Sequence, residues 1–143
     1  MSVVLVDDHL LRDLLADFAN ARLRRVVTGR SIATTNLYYA RLCRSVVAAR
    51  GGQLTGHWTS SQRAALGEVL TDLPDDIVIV PMREIAHRMA QLVATHPLST
   101  LGSEAIAAAE VLGARLVVWA GDDGPAIRAA ASARRVGYVT VAR

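Results

Sequence analysis

The chain contains no lysine: all 16 of its basic residues are arginine. A nucleotide cradle built on a glycine loop needs a lysine on the phosphates, so Gly121 and Gly124, which flank an acid pair, read as a turn. There is a single cysteine, Cys43, which excludes an internal disulfide; set between Leu42 and Arg44 in a helical pattern, it reads as a core residue and not as a nucleophile. Aromatic residues make up only 4%, which leaves few rings for stacking on bases. No apolar run approaches the roughly 18 residues of a membrane span. No basic segment precedes the apolar one in MSVVLVDD, which argues against a cleaved secretory signal. We therefore expect a cytoplasmic protein without a membrane partner. Acids are also missing from one long stretch, because none lies between Asp17 and Glu68.

What is present suits one globular core. At 143 residues with 52% hydrophobic side chains, the chain is long enough for one domain spanning 1–143 and too short for two. The formal net charge is +3, and its distribution matters more than its size. Arg22, Arg24, Arg25, Arg30, Arg41, Arg44, Arg50 and Arg63 all fall in the acid-free stretch, which should carry a positive face. Guanidinium forks bond two phosphate oxygens at once, so Arg24, Arg25, Arg30, Arg41 and Arg44 are candidate contacts for RNA. A solvated basic face without a ligand is the plainer alternative.

Periodicity organises the rest. VVLVD at 3–7 reads as a buried strand, followed by HLLRDLLADFA with Leu10, Leu11, Leu14, Leu15 and Phe18 on one helical face. After an arginine-rich connection, TTNLYYARLCRSVVAA reads as a helix capped by Thr34 or Thr35 and stopped at Gly51-Gly52. GQLTGHWTSS is loop-like, SSQRAALGEVLTDL is a helix ended by Pro74, and IVIVP at 77–81 is a second strand. REIAHRMAQLVATH is a helix closed by Pro97, and SEAIAAAEVLG is a helix capped by Ser103 and ended by Gly113. LVVWA at 116–120 is a strand, GDDG a turn, PAIRAAASARR a helix with proline in its first turn, and YVTV at 138–141 the last strand. Strands alternating with helices predict a three-layer α/β/α fold around a mostly parallel sheet of roughly four to five strands.

In a parallel sheet, ligand sites gather at the carboxyl ends of the strands. Asp7 and Asp8 end the first strand, and Asp122 and Asp123 follow the strand at 116–120, so all four should meet at one edge if those strands are neighbours. Glu104 begins the helix that leads into the latter strand, at the same edge. Five acids there would repel one another unless arginines or a divalent cation neutralised them, which makes Asp7, Asp8, Glu104, Asp122 and Asp123 candidate ligands for Mg²⁺ or Mn²⁺. Acids at helix starts also cap helices, which is the competing reading. His9, His57, His87 and His96 lack metal-ligand spacing, and Ser60 and Ser61 lack a histidine and acid in a triad arrangement. Tyr38 and Tyr39 read as core or dimer contacts in an apolar helix, and Trp119 as core.

Two resemblances bear on these residues. VVLVDDH resembles the opening of a response-regulator receiver, but the similarity is local: Val80 stands where the phosphoacceptor aspartate would end a strand, and no lysine exists to hold a phosphoryl group. The second resemblance runs through most of the chain and is to the PIN domain of VapC-type toxins. VVLVDDHLL is similar to the family's first strand and metal-binding aspartate, VPMREIAHRMAQLVATHPLST to the helix before its third acid, SEAIAAAEVLGARLVV to its alanine-rich helix and strand, and GDDGPAIRAAASARRVGYVTV to its acidic turn, last helix and last strand. The resemblance implies a metal-dependent ribonuclease of toxin–antitoxin type with Asp7, Asp122 and Glu104 as catalytic acids and Mg²⁺ or Mn²⁺ activating a water for attack on an RNA phosphodiester. It also implies an antitoxin partner in many members, and pairing into a homodimer. The chain departs from the pattern at two places. Gly102 stands where the third acid is usual, leaving Glu104 as a substitute, and the helix beginning TTNLYYARLCR has Asn36 but no acid. The alternative it allows is a catalytically degenerate PIN-like domain that binds nucleic acid or protein.

Overall fold

The computed structural model describes residues 2–48 and 50–143. In chain order the elements are β1 (Val3–Val6), α1 (Asp8–Leu15), α2 (Ala21–Val27), β2 (Ser31–Thr34), α3 (Asn36–Val47), α4 (Gly52–Thr55), α5 (Ser60–Thr71), β3 (Ile77–Ile79), α6 (Met82–Thr95), α7 (Thr100–Leu112), β4 (Arg115–Trp119), a 3₁₀ turn (Ala120–Asp122), α8 (Pro125–Ala133) and β5 (Tyr138–Val141). Their starts follow from local chemistry. Asp7, Asn20, Thr35, Thr59 and Ser99 each accept a hydrogen bond from a backbone N–H in the first turn of the helix that follows, which satisfies donors a helix leaves open. Gly113, at φ 61°, closes α7 in the left-handed conformation that a glycine adopts without strain.

All five strands are parallel, in the order β3-β2-β1-β4-β5. Side chains alternate across the sheet, so Leu5 and Leu116 enter one core with Ile85, Leu92 and Ile106, while Val4, Val6, Val117 and Trp119 enter the other with Leu10, Leu42 and Leu66. Helices α6, α7 and α8 therefore cover one face and α1, α3 and α5 the other, which is the three-layer α/β/α arrangement. The alanine run of α7, Ala105 to Ala109, is fully buried; short side chains let this helix lie close against both the sheet and α6. No helix among the described residues is long and apolar enough to cross a membrane.

The structure departs from expectation in several elements. β2 and α2 lie in what reads as an arginine-rich connection, and α4 within a stretch that reads as loop. Helix α1 stops at Leu15, so Phe18 lies outside it and is 53% exposed, with its ring edge-on to Trp58. α3 ends at Val47, before Gly51-Gly52, and Ala49, the last residue of its sequence pattern, lies outside the described residues. α7 is capped by Ser99, one turn earlier than Ser103. That shift puts Glu104 in the second turn of the helix and fully inside the protein.

Candidate functional site at the carboxyl edge of the sheet

The chain lays down β1, adds β2 and β3 on one side, and then crosses to add β4 and β5 on the other. The strand order thus reverses between β1 and β4, and a crevice opens beyond their carboxyl ends. Asp7 follows β1, Asp122 ends the 3₁₀ turn after β4, and the two line one cavity of about 50 Å³ with Tyr38, Ile127 and Tyr138. The expected meeting of acids from both ends of the chain is therefore present. His9 Nδ1 lies 3.6 Å from Asp122 Oδ2, which ties the start of α1 to the same turn.

Asp7 is buried and caps α1, accepting from Leu10 N–H at 2.9 Å. Burial pushes its carboxyl up to about 7; the Leu10 N–H opposes this, and the charges of Asp8 and Asp122 add to it. Among the described residues it has no hydrogen bond or ion pair with arginine. Tyr38, buried beside it, is pushed well above the usual phenol range by burial and by the acids, so it stays neutral. Tyr138 is raised to about 12, chiefly by burial and then by its hydrogen bond to Asp123.

The other acids have partners. Arg41 Nη1 lies 3.0 Å from Asp8 Oδ2, while Asp8 Oδ1 accepts from His9 N–H at 3.0 Å. The Arg41 approach is off the N–H direction, so Asp8 Oδ2 has a compensating charge without a hydrogen bond. Arg143 Nη2 donates to Asp122 Oδ2 at 3.0 Å. Arg128 donates to Asp123 Oδ2 from Nε and Nη2 at 3.0 and 2.6 Å, and the Tyr138 hydroxyl donates to Oδ1 at 2.6 Å; these bonds, Arg128 first, hold Asp123 below the usual carboxylate range. Sequence reasoning misses a sixth acid, Asp13. It is buried, receives both Nε and Nη2 of Arg12 at 2.8 and 2.9 Å, and receives the Trp119 indole N–H at 2.8 Å. Arg143 stacks 4.9 Å from the Trp119 ring and so links Asp13 to Asp122. The signal for Asp13 was a charged pair, Arg12-Asp13, inside the apolar run LLRDLL.

Glu104 is spent on the backbone. One oxygen accepts from Asn36 N–H at 3.0 Å and from the Asn36 side-chain amide at 2.8 Å; the other accepts from Leu37 N–H at 2.9 Å. A carboxylate from α7 thus caps α3, and Asn36 is held by it instead of facing the cavity as a ligand. At Gly102, where the PIN pattern expects an acid, a Cβ would come within 3.1 Å of Ile127 Cγ1 and 3.3 Å of Leu98 Cδ2. Apolar packing fills the place of a carboxylate.

The candidate RNA-contacting arginines divide between two edges. Arg24 and Arg25 occupy the last turn of α2, which leads into the start of β2, and Arg30 follows them there, donating to Val26 O and to Ser2 Oγ. These three lie at the amino edge, away from the acids. Arg41 and Arg44 project from α3 and line an open groove of about 400 Å³ with Gly51, Gly52 and Gln53, beside Asp8.

The donor set does not fit the divalent ion that the PIN resemblance implies. Among the described residues no three of Asp, Glu, His or Cys are grouped to hold a metal. Asp7 caps α1 through the Leu10 N–H, Glu104 caps α3, and Asp8, Asp122 and Asp123 are neutralised by Arg41, Arg143 and Arg128. No protein-family model matches the chain, and no curated protein matches it in sequence.

Proposed function

We propose that this chain is a PIN-like domain whose acidic centre has been rebuilt as an arginine-clamped scaffold and which binds RNA without hydrolysing it. The observation that supports this reading is that Asp8, Asp122 and Asp123 each pair with an arginine and Glu104 caps α3, which leaves Asp7 alone of the five candidate acids with no more than a single backbone N–H among the described residues. Arginine supplies the neutralising charge that a cation would otherwise bring. The RNA surface in this reading is the α3 groove, where Arg44 has no acidic partner among the described residues and Arg41 is half exposed despite its pair with Asp8. An antitoxin-like protein or a second copy of the chain, which the PIN resemblance also implies, would find the apolar groove between Phe18, Trp58, Leu66 and Val69 open to it.

One observation favours the metal-dependent ribonuclease reading: Asp7 and Asp122 share a cavity at the reversal of strand order. Fluorescence anisotropy with a short single-stranded RNA, followed by gel analysis of the same RNA, separates the two. The binding reading expects affinity that is unchanged by EDTA, falls with salt, and drops about 3- to 10-fold in Arg44→Gln, with the RNA intact after incubation with Mn²⁺. RNA shortened in Mn²⁺ by the wild type but not by Asp122→Asn would establish the nuclease instead.

A further inference from the structure

At the opposite edge of the sheet, a cleft of about 460 Å³ opens between the end of α7, the end of α8 and the start of β4. Three arginines line it: Arg115, the first residue of β4, and Arg134 and Arg135, just past α8. The acid beside them is Glu110, and it is already committed. Arg88 holds it from Nε and Nη2 at 3.0 Å each, and Arg134 lies 3.6 Å away. Among the described residues neither Arg115 nor Arg135 has an acidic partner.

Two backbone features mark this arrangement. Arg135 sits at φ 58°, the left-handed position just after a helix, where Val136 N–H reaches back to Ala131 O at 2.8 Å. Glycine is the residue that fits this place without strain, yet an arginine occupies it. Gly137, in turn, has its open side against Arg115, since a Cβ there would lie 3.3 Å from Arg115 Cβ. Gly137 thus leaves room for the first carbons of the Arg115 side chain, and a left-handed residue supplies Arg135. Helix-end charge compensation explains Arg134 but not Arg115, which belongs to a strand.

We propose that this cleft binds a small anion carrying two linked phosphoryl groups, with Arg115 and Arg135 as the forks that grip it and Arg134 as the flanking charge. The volume falls in the range of small-ligand sites. The floor, Ala109, Ala114 and Val136, is apolar and has no aromatic ring. Guanidinium forks match terminal phosphoryl oxygens in pairs.

Titration calorimetry with inorganic pyrophosphate at fixed ionic strength, on the wild type, Arg115→Gln and Arg135→Gly, tests the site. Saturable one-to-one binding is expected in the wild type, weakened about 10-fold or more in each variant. Arg135→Gly should at the same time melt about 3 °C higher, because it relieves the left-handed strain. The proposal is overturned by absence of saturable binding at millimolar pyrophosphate, by unchanged affinity in both variants, or by a lower melting temperature in Arg135→Gly. It is also overturned if a short RNA, and not pyrophosphate, binds in a manner dependent on Arg115 and Arg135.

Discussion

Glu104 and Asn36 are locked together across 68 residues of chain: Asn36 gives one carboxylate oxygen both its backbone N–H, at 3.0 Å, and its side-chain amide, at 2.8 Å. This makes the carboxylate a brace for α3. A metal ligand and a brace respond oppositely to loss of charge. Removing an acid from an empty metal cluster relieves repulsion, whereas removing a brace leaves buried donors unmet. Glu104→Gln is expected to lower stability by about 2–3 kcal/mol in urea unfolding at neutral pH, since the amide brings its own N–H₂ against donors.

Asp7 sets a dependence of stability on pH. Its folded value, about 7, lies above the ordinary 3.8, so the folded state holds the proton more tightly than the unfolded one. Its contribution is then most favourable below about pH 4 and is lost as pH rises towards 7 and beyond. Asp7→Asn keeps an acceptor for Leu10 N–H and has no charge to bury. The variant should match the wild type below pH 4 and exceed it by about 4 kcal/mol at pH 8, as read from urea unfolding across that range.

The Arg12–Asp13 pair of α1 is tied to β4 by the indole of Trp119. Both residues are buried, and Asp13 also accepts the Trp119 indole N–H. Asp13→Asn leaves the Arg12 guanidinium with Leu54 O and Trp58 but without its counter-charge. A loss of about 3–5 kcal/mol is expected, with a change in the near-ultraviolet circular dichroism of Trp119 before global unfolding.

Gly102 and Ile127 should be energetically coupled. Gly102→Ala gains helix propensity of about 1 kcal/mol but drives a methyl towards Ile127 Cγ1 at 3.1 Å. Ile127→Ala removes the nearest obstacle and leaves Leu98 Cδ2, at 3.3 Å, as the remaining one. A double-mutant cycle should give a favourable coupling of about 1 kcal/mol, and additivity within error would show that the contact carries no strain.

Much of this architecture is legible from residue order. Val4, Val6, Val117 and Trp119 lie in continuous apolar runs, and the turn residues around them mark where β1 and β4 end, which is enough to bring Asp7 and Asp122 to one edge. β2 is illegible because Ser31, Ala33 and Thr34 are small and Ile32 alone is strongly apolar; parallel pairing with β1 and β3 makes it a strand. Glu104 looks exposed if Ser103 begins its helix, and only the cap at Ser99 moves it inside. The arginine pairs are the least legible part. Arg41–Asp8 and Arg143–Asp122 join residues 33 and 21 positions apart, and no local pattern announces them.

The proposed substitution of arginines and backbone N–H groups for a cation at this edge is tested most directly by titration of Mn²⁺ into the chain at pH 7.5. The expected result is no saturable heat at millimolar Mn²⁺ and identical traces for the wild type and Asp122→Asn. Saturable binding that disappears in both Asp7→Asn and Asp122→Asn would contradict it.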